Sequence, residues 1–130
     1  MTKSAAVERG EHFLTHQVET RGDAPALTDS RGTQWSFGAL DGAAQALAEG
    51  LQARGVRRQD RVLMLSENCA GAVAVLFACW KLDAVVIPVN ARQSAGEVQR
   101  VLDHARPAVA IGTTAVSEEA AAHLERMDGA

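Results

Sequence analysis

The sequence has 130 residues, a formal net charge of −3 at pH 7 and a hydrophobic fraction of 47%. This length suits one domain or part of one, and the charge gives no reason to expect binding to nucleic acid or to an anionic membrane. Residues 1–10 lack the apolar run of a secretory signal, and the longest apolar run is too short to span a bilayer. We expect a flexible lead-in over residues 1–10 and one α/β subdomain over residues 11–130.

The first elements of the chain are predicted to be a helix and a β-hairpin. Residues 11–20 carry a modest apolar stripe at helical spacing. Two short strands, 26–28 and 33–35, flank the segment 29–32, which has Asp at its first position and Gly at its last. This is the chemistry of a tight turn and predicts a hairpin.

A second helix follows the hairpin, with Ser36 as its expected N-cap and Gly55 just beyond its end. Its apolar stripe consists of Leu40, Ala44, Leu47 and Leu51. Gly42 and Gly50 lie inside this helix, where each glycine costs about 1 kcal/mol relative to alanine. We expect these two glycines to mark close packing on a neighbour.

The centre of the sequence predicts a buried strand, a buried helix and a second buried strand. Residues 62–65 form a short apolar run that ends in polar residues, and residues 69–80 contain no charged side chain. The next run, 85–89, is rich in β-branched residues. Strands that are apolar on both faces are typical of parallel sheets covered by helices on each side, with right-handed connections.

The last part of the chain predicts two helices and a third strand. Ser94 and Glu97 form a capping box before an amphipathic helix that ends at Pro107. Residues 108–111 predict a third wholly interior parallel strand, and Ser117 caps a final helix. The inward stripe of that helix is Ala120, Leu124 and Met127.

These elements predict an α/β fold in which an N-terminal β-hairpin precedes a partial parallel sheet of βαβ units flanked by helices. Three parallel strands alone leave an open sheet edge, which proteins normally cover. We therefore expect the chain to be the first part of a larger, truncated fold.

The four histidines offer no complete metal site. His12 and His16 are one helical turn apart, a spacing that suits a metal ion, but no carboxylate or cysteine motif completes the ligand set. We expect both at the solvent-exposed surface. His104 and His123 are expected near helix C-termini, where contact with the helix dipole is favourable.

Two other candidate features have ordinary structural interpretations. Cys69 and Cys79 would lie about 15 Å apart along one helix, too far for a disulfide, and we expect two buried, inert thiols in a reducing cytoplasm. Gly112, Thr113 and Thr114 resemble the heart of a phosphate-binding loop, but acidic residues follow where a base is needed. We interpret this segment as a strand-to-helix connection.

Two polar residues fall where parallel strands are expected to end, the edge at which open sheets bind ligands. Asn68 precedes the apolar helix, and a helix N-cap is favoured over a site residue. Arg92 follows the second parallel strand, where position alone favours a solvated loop arginine. We find no catalytic constellation in the sequence.

Ordered landmarks in the chain resemble the N-terminal region of the adenylate-forming (AMP-binding) superfamily, in its acyl-CoA synthetase branch. The landmarks are residues 36–40, 44–56 and 59–62, Asn68, residues 83–92 and Glu97. Their order and spacing carry the resemblance. The departures from the family pattern are Ala39 for Glu, Gln59 and Asp83 for Gly, and Ala91 for Pro, all compatible with the same fold.

The resemblance implies an ATP-dependent ligase. A carboxylate reacts with ATP, assisted by Mg²⁺, to form an acyl-adenylate and pyrophosphate, and the thiol of CoA then displaces AMP. The family's ATP-binding motifs and catalytic lysine lie downstream of the matched region. The resemblance therefore implies no catalytic residue here, no bound cofactor on this chain and no activity of the chain alone. In some of these ligases the arginine matching Arg92 faces the phosphates of CoA, which makes Arg92 a candidate CoA-binding residue.

Two alternatives stay open. The chain could be a non-catalytic α/β interaction or scaffold module, as the open sheet edge indicates, or a small nucleotide-binding α/β domain. We also expect self-association through the uncovered sheet edge, a cytoplasmic location and, from the resemblance, a place in fatty acid metabolism.

Overall fold

The computed structural model describes residues 10–128, so nearly all of the predicted lead-in lies outside the described residues. The elements in chain order are α1 (Glu11–Arg21), β1 (Pro25–Thr28), β2 (Gln34–Ser36), α2 (Phe37–Ala53), β3 (Arg61–Ser66), α3 (Ala70–Lys81), β4 (Val85–Asn90), α4 (Ala95–Ala105), β5 (Val109–Gly112) and α5 (Glu118–Asp128). Each predicted helix and strand is present, and most bounds agree within a residue or two.

A three-stranded parallel sheet forms the centre of the fold, with β3 between β4 and β5. β3 pairs with β4 from Arg61 opposite Val85 to Ser66 opposite Asn90. The predicted α/β class and the parallel strands are confirmed. Because the three strands run in one direction, their carboxyl ends meet at one edge of the sheet, which we call the carboxyl edge.

Of the three parallel strands, only β3 is buried on both faces. Val62, Leu63 and Leu65 are each 0% exposed, whereas Val85 at the start of β4 is 47% exposed. β5 is half-buried along its length. The expectation of three wholly interior strands is therefore right for β3 alone, because β4 and β5 are the edges of the sheet in the described part of the chain.

The side chains of β3 alternate between two cores on opposite faces of the sheet. Val62 and Met64 pack with α2 and α3, and Leu63 and Leu65 pack with α4 and α5. β4 and β5 lie on opposite sides of β3, so right-handed connections to them place α3 and α4 on opposite faces. The result is a three-layered arrangement with the sheet in the middle.

The hairpin lies outside this sheet. β1 and β2 form a separate antiparallel pair, as predicted. Leu14 of α1, Leu40 of α2 and Ala74 of α3 form a third buried cluster, against which Leu27 and Trp35 of the hairpin pack. The hairpin and α1 therefore rest on the α2 and α3 side of the molecule.

The predicted N-caps of α2, α4 and α5 are confirmed, as is the predicted position of Gly55 after α2. Ser36, Ser94 and Ser117 each accept a hydrogen bond from a backbone N–H in the following turn, at 3.0, 3.2 and 3.1 Å. Glu97 completes the capping box of α4. Gly55 follows α2 with a φ of 93°, a conformation that glycine adopts without steric cost.

Gly42 and Gly50 do not mark close packing. Both are exposed, and a methyl group added at either would meet nothing within 4 Å beyond the neighbouring backbone of its own helix. The expectation of a close neighbour is wrong, because both glycines lie on the solvent side of α2. Its opposite side carries the buried residues Leu40, Ala44, Ala48 and Leu51.

Candidate functional site

Three polar side chains come together at the carboxyl edge of the parallel sheet. Glu67 follows β3, Arg92 lies in the turn after β4, and Thr113 follows β5. In open parallel sheets this is the edge at which ligands bind. The position predicted for Arg92 is therefore confirmed, and the structure adds the two neighbours.

Arg92 pairs with Glu67 across this edge. Its Nε lies 3.1 Å from Oε1 and 3.2 Å from Oε2 of the carboxylate. The Arg92 side chain is 73% exposed and that of Glu67 is 21% exposed. Because such an exposed pair contributes less than about 1 kcal/mol, its main effect is to orient the guanidinium. The terminal nitrogens Nη1 and Nη2 have no partner among residues 10–128.

Glu67 is in turn held by the segment after β5. Its backbone N–H donates to Thr113 Oγ1 at 3.2 Å, and its Oε2 accepts from the Ser117 hydroxyl at 3.4 Å. Ser117 is 4% exposed. The interpretation of this segment as a strand-to-helix connection is confirmed for Thr113 and Thr114, which lie between β5 and α5, whereas Gly112 is the last residue of β5.

The turn that carries Arg92 is fixed by its own polar groups. Asn90 Oδ1 accepts from the Arg92 N–H at 2.9 Å. The Ala91 N–H donates to the Ser66 carbonyl at 3.1 Å, which extends the ladder between β3 and β4 by one bond. A proline, which the family pattern has at this position, could not make that bond.

His123 reaches the same turn from α5. The histidine is 4% exposed, and its Nε2 lies 3.0 Å from the carbonyl oxygen of Ala91 and 3.0 Å from that of Gln93. The expected contact with a helix dipole is wrong for His123, because α5 directs this side chain inward to the turn. His104 does lie in the last turn of α4, as expected.

Sequence reasoning missed Glu67 and His123, although each had a usable signal. Glu67 directly follows the buried run of β3, so it had to lie at the carboxyl edge. His123 is adjacent to Leu124 and one turn from Ala120 and Met127, on the inward side of α5. A histidine on an apolar face needs a hydrogen-bond partner.

Asn68 is not the N-cap of α3, contrary to the prediction. Cys69 occupies that position without a side-chain hydrogen bond, and Asn68 is exposed. Instead, Asp29 Oδ2, in the turn of the hairpin, accepts from the Ala70 N–H at 2.9 Å. This bond, with those from the Thr33 and Arg31 N–H groups, lowers the pKa of the Asp29 carboxyl.

A cleft of about 360 Å³ opens beside this cap, between the hairpin, the start of α3 and the segment after β5. Trp35, Cys69 and Thr113 are among its lining residues. Cys69 is half-buried, so the expectation of a buried thiol is wrong there. It is right for Cys79, which is 0% exposed and whose thiol pKa is raised by burial to about 11.

The described residues contain no candidate metal centre. On α1, His16 is exposed as expected, whereas His12 is half-buried. Within residues 10–128, no three His, Cys, Asp or Glu side chains come together in a group that could hold a metal ion. None of the helices in that range is both long enough and apolar enough to cross a membrane.

The chain is similar in sequence to known ligases. The model of the family described as AMP-binding enzyme matches residues 14–129. A feruloyl-CoA synthase from Amycolatopsis sp is 36% identical over 91 residues, which is 70% of this chain and 18% of that protein. A 2-succinylbenzoate–CoA ligase from Oceanobacillus iheyensis is 30% identical over 97 residues, which is 74% of this chain and 20% of that protein.

The fold also matches solved structures. The N-terminal domain of FACL13 from Mycobacterium tuberculosis superposes with a TM-score of 0.84 at 22% identity, covering 95% of this chain and 31% of that one. The chain spans a fifth or less of the length of the two curated ligases. The family match nevertheless extends over nearly all of its residues. The chain belongs to the AMP-binding enzyme family, as its sequence landmarks implied.

Proposed function

We propose that this chain forms the N-terminal part of an adenylate-forming acyl-CoA ligase. The complete enzyme would join a carboxylic acid to CoA. ATP would be consumed in forming the acyl-adenylate, with Mg²⁺ assisting, and pyrophosphate and then AMP would be released. The observation that carries this proposal is the family match over residues 14–129. The names of the two similar ligases, which act with feruloyl and 2-succinylbenzoate groups, support CoA as the acceptor.

Within that enzyme we assign Arg92 to the phosphates of CoA. The guanidinium stands at the carboxyl edge, and Glu67 engages only its Nε. A guanidinium can donate two parallel hydrogen bonds to a phosphate, which is why arginine suits this ligand. The two terminal nitrogens of Arg92 are therefore the atoms that would meet CoA.

Glu67 sets a limit on this interaction. Its carboxylate is 3.1 Å from Arg92 Nε and compensates much of the local positive charge. A bound phosphate would also be repelled by this carboxylate, because like charges at short range oppose each other. Arg92 alone should therefore give modest affinity, with further cations supplied by the rest of the enzyme.

Binding to Arg92 is testable on the 130-residue chain by NMR titration with CoA and with pantetheine, which lacks the phosphates. We expect CoA to shift the Arg92 signals and pantetheine to leave them unchanged. Arg92→Gln should weaken CoA binding about tenfold, the loss typical of one charged hydrogen bond. Arg100→Gln, on the exposed side of α4, is the matched control. Equal affinities of the Arg92 variant and the unmodified chain would refute the assignment.

We further propose that these 130 residues alone catalyse neither step, since the resemblance places the ATP-binding motifs and the catalytic lysine downstream. A pyrophosphate-release assay of the purified chain with a panel of carboxylic acids should give no turnover. Measurable turnover would refute this part of the proposal, whereas ATP binding measured by calorimetry would favour the alternative of a small nucleotide-binding domain. A cytoplasmic location and a place in fatty acid metabolism belong to the same proposal.

Self-association through the sheet edge is the last part of the proposal. β4 pairs only with β3 in the described chain, and Val85 on it is 47% exposed. An unpaired strand edge with apolar side chains favours pairing with another chain. Sedimentation should show a mass that rises with concentration, and Val85→Lys should abolish the rise. A monomer at every concentration would contradict this part of the proposal.

A further inference from the structure

We infer that His123 is a positioning residue that fixes the turn presenting Arg92, an inference whose functional consequence rests on the proposed role of Arg92. Among the residues whose side chains the structure describes, two polar side chains are buried, Ser117 and His123, each 4% exposed. Burying a polar group is unfavourable unless it is hydrogen-bonded. Each of these buried groups makes at least one hydrogen bond to the Arg92 site, Ser117 to Glu67 and His123 to the Arg92 turn.

The two carbonyls that meet His123 flank Arg92 in the sequence. Nε2 is 3.0 Å from the oxygen of Ala91 and 3.0 Å from that of Gln93. With both neighbouring carbonyls drawn inward to one imidazole, the residue between them is left on the outside of the turn. This agrees with the 73% exposure of the Arg92 side chain.

The two carbonyl oxygens determine which tautomer of His123 makes these bonds, because a carbonyl only accepts and Nε2 must therefore donate. Nδ1 contacts the guanidinium of Arg126. A guanidinium only donates hydrogen bonds, so Nδ1 accepts and carries no hydrogen. The single ring hydrogen is then on Nε2, where it is shared between the two carbonyl oxygens.

Ser117, which caps the start of α5, holds Glu67, the acidic partner of Arg92. Its hydroxyl donates to Glu67 Oε2 at 3.4 Å while its oxygen accepts from the Ala120 N–H at 3.1 Å. The backbone of the turn and the carboxylate that orients the guanidinium are thus both tied to α5. A role in packing alone would not require this pair of polar contacts.

The test separates hydrogen bonding from packing through two substitutions at one position. His123→Phe keeps an aromatic ring and removes the donor, and His123→Gln keeps an N–H at similar reach. His104→Phe, on the exposed end of α4, is the matched control. Three properties are measured on the whole chain: the ¹⁵N shifts of the His123 ring, the Nε–H signal of Arg92, and CoA affinity by titration.

We expect the unmodified chain to show the Nε2–H tautomer and a discrete Arg92 Nε–H signal. His123→Phe should broaden that signal and weaken CoA binding about fivefold, the effect of one lost hydrogen bond. His123→Gln should restore most of both properties, and the control should change neither.

Two results would overturn the inference: an Nδ1–H tautomer in the unmodified chain, or an Arg92 Nε–H signal that His123→Phe leaves unchanged. If His123→Phe does not fold, the inference is still tested by the ring tautomer of His123 in the unmodified chain and by the Arg92 Nε–H signal of His123→Gln. If the unmodified chain does not bind CoA, the proposed role of Arg92 fails, while the NMR signals still decide whether His123 fixes the turn.

Discussion

The backbone N–H of Gln59 donates to the carbonyl of Asp83 at 2.8 Å, and both residues have positive φ, 69° and 56°. The left-handed conformation costs a residue with a side chain about 1–2 kcal/mol, whereas glycine adopts it freely. These are the two positions at which the family pattern carries glycine. The backbone conformation is therefore retained here although the residue that best suits it is absent.

Replacing Gln59 with glycine should therefore stabilise the chain. We expect the free energy of unfolding to rise by about 0.5–1 kcal/mol, because relief of the left-handed strain exceeds the extra flexibility of glycine in the unfolded state. Urea titration followed by circular dichroism measures the change. Gln45→Gly, at an exposed position within α2, is the matched control and should lower stability by about 1 kcal/mol. A lower free energy of unfolding for both variants would contradict the prediction.

The cap that Asp29 provides for α3 should depend on pH. The hydrogen bond from Ala70 lowers the pKa of the Asp29 carboxyl in the folded chain, so its unfolded-state pKa of about 4 is the higher of the two. The ionised group then stabilises the fold above about pH 4, and this contribution is lost as the pH falls through the folded-state value.

Asp29→Asn should consequently melt a few degrees below the unmodified chain at pH 7, since a helix cap and its charge are both altered. The difference should shrink in acid, where the unmodified carboxyl is protonated and resembles the amide. Thermal melts from pH 7 down to pH 3 test this. Asp23→Asn, at an exposed position before the hairpin, should have little effect at any pH. A difference in melting temperature between Asp29→Asn and the unmodified chain that does not change with pH would show that the charge is not involved.

Truncating a valine to alanine on β3 should lower the free energy of unfolding much more than the same change on β4. Val62 is 0% exposed and Val85 is 47% exposed. We expect Val62→Ala to cost about 2 kcal/mol from lost burial and the cavity left behind, and Val85→Ala less than about 0.5 kcal/mol. Urea titrations of the two variants measure both values. Similar costs would mean that β4 is covered in solution, which self-association through its edge would explain.

The two thiols should react at very different rates with an alkylating reagent at pH 8. Burial raises the pKa of Cys79 to about 11, and the thiolate is the reactive form. Cys69 is half-buried beside the cleft. Mass spectrometry should show one label added rapidly and a second only after denaturation. In Cys69→Ser the rapid phase should disappear, and its persistence would place Cys79 at the surface.

The elements that sequence reasoning predicted correctly depend on neighbours along the chain. Ser36, Ser94 and Ser117 bond backbone groups in the next turn, and the hairpin turn is closed by Asp29 within its own segment. Such signals lie within a few residues and follow from capping and turn chemistry. The strand–helix alternation was equally visible, because buried strands and amphipathic helices have different apolar periods.

The site could be predicted only in part, because its contacts join distant segments. Arg92 was identified through family resemblance, but the Glu67 that orients it is 25 positions away, and the carbonyls that bind His123 are 30 and 32 positions away. Likewise, Asn68 was a reasonable local N-cap, yet Asp29 caps α3 from 41 positions away. Which of several suitable polar groups is used depends on how the layers pack.

The central strand of the sheet has consequences for the order in which the chain assembles. β3, α3 and β4 are consecutive, so they can associate once residue 90 has left the ribosome. The opposite side of β3 stays unpaired until Val109–Gly112 is made, with Leu63 and Leu65 lacking the cover of α5. A nascent intermediate that exposes such a strand is prone to aggregation. A ribosome pause between β4 and β5 would therefore prolong an aggregation-prone state of the chain.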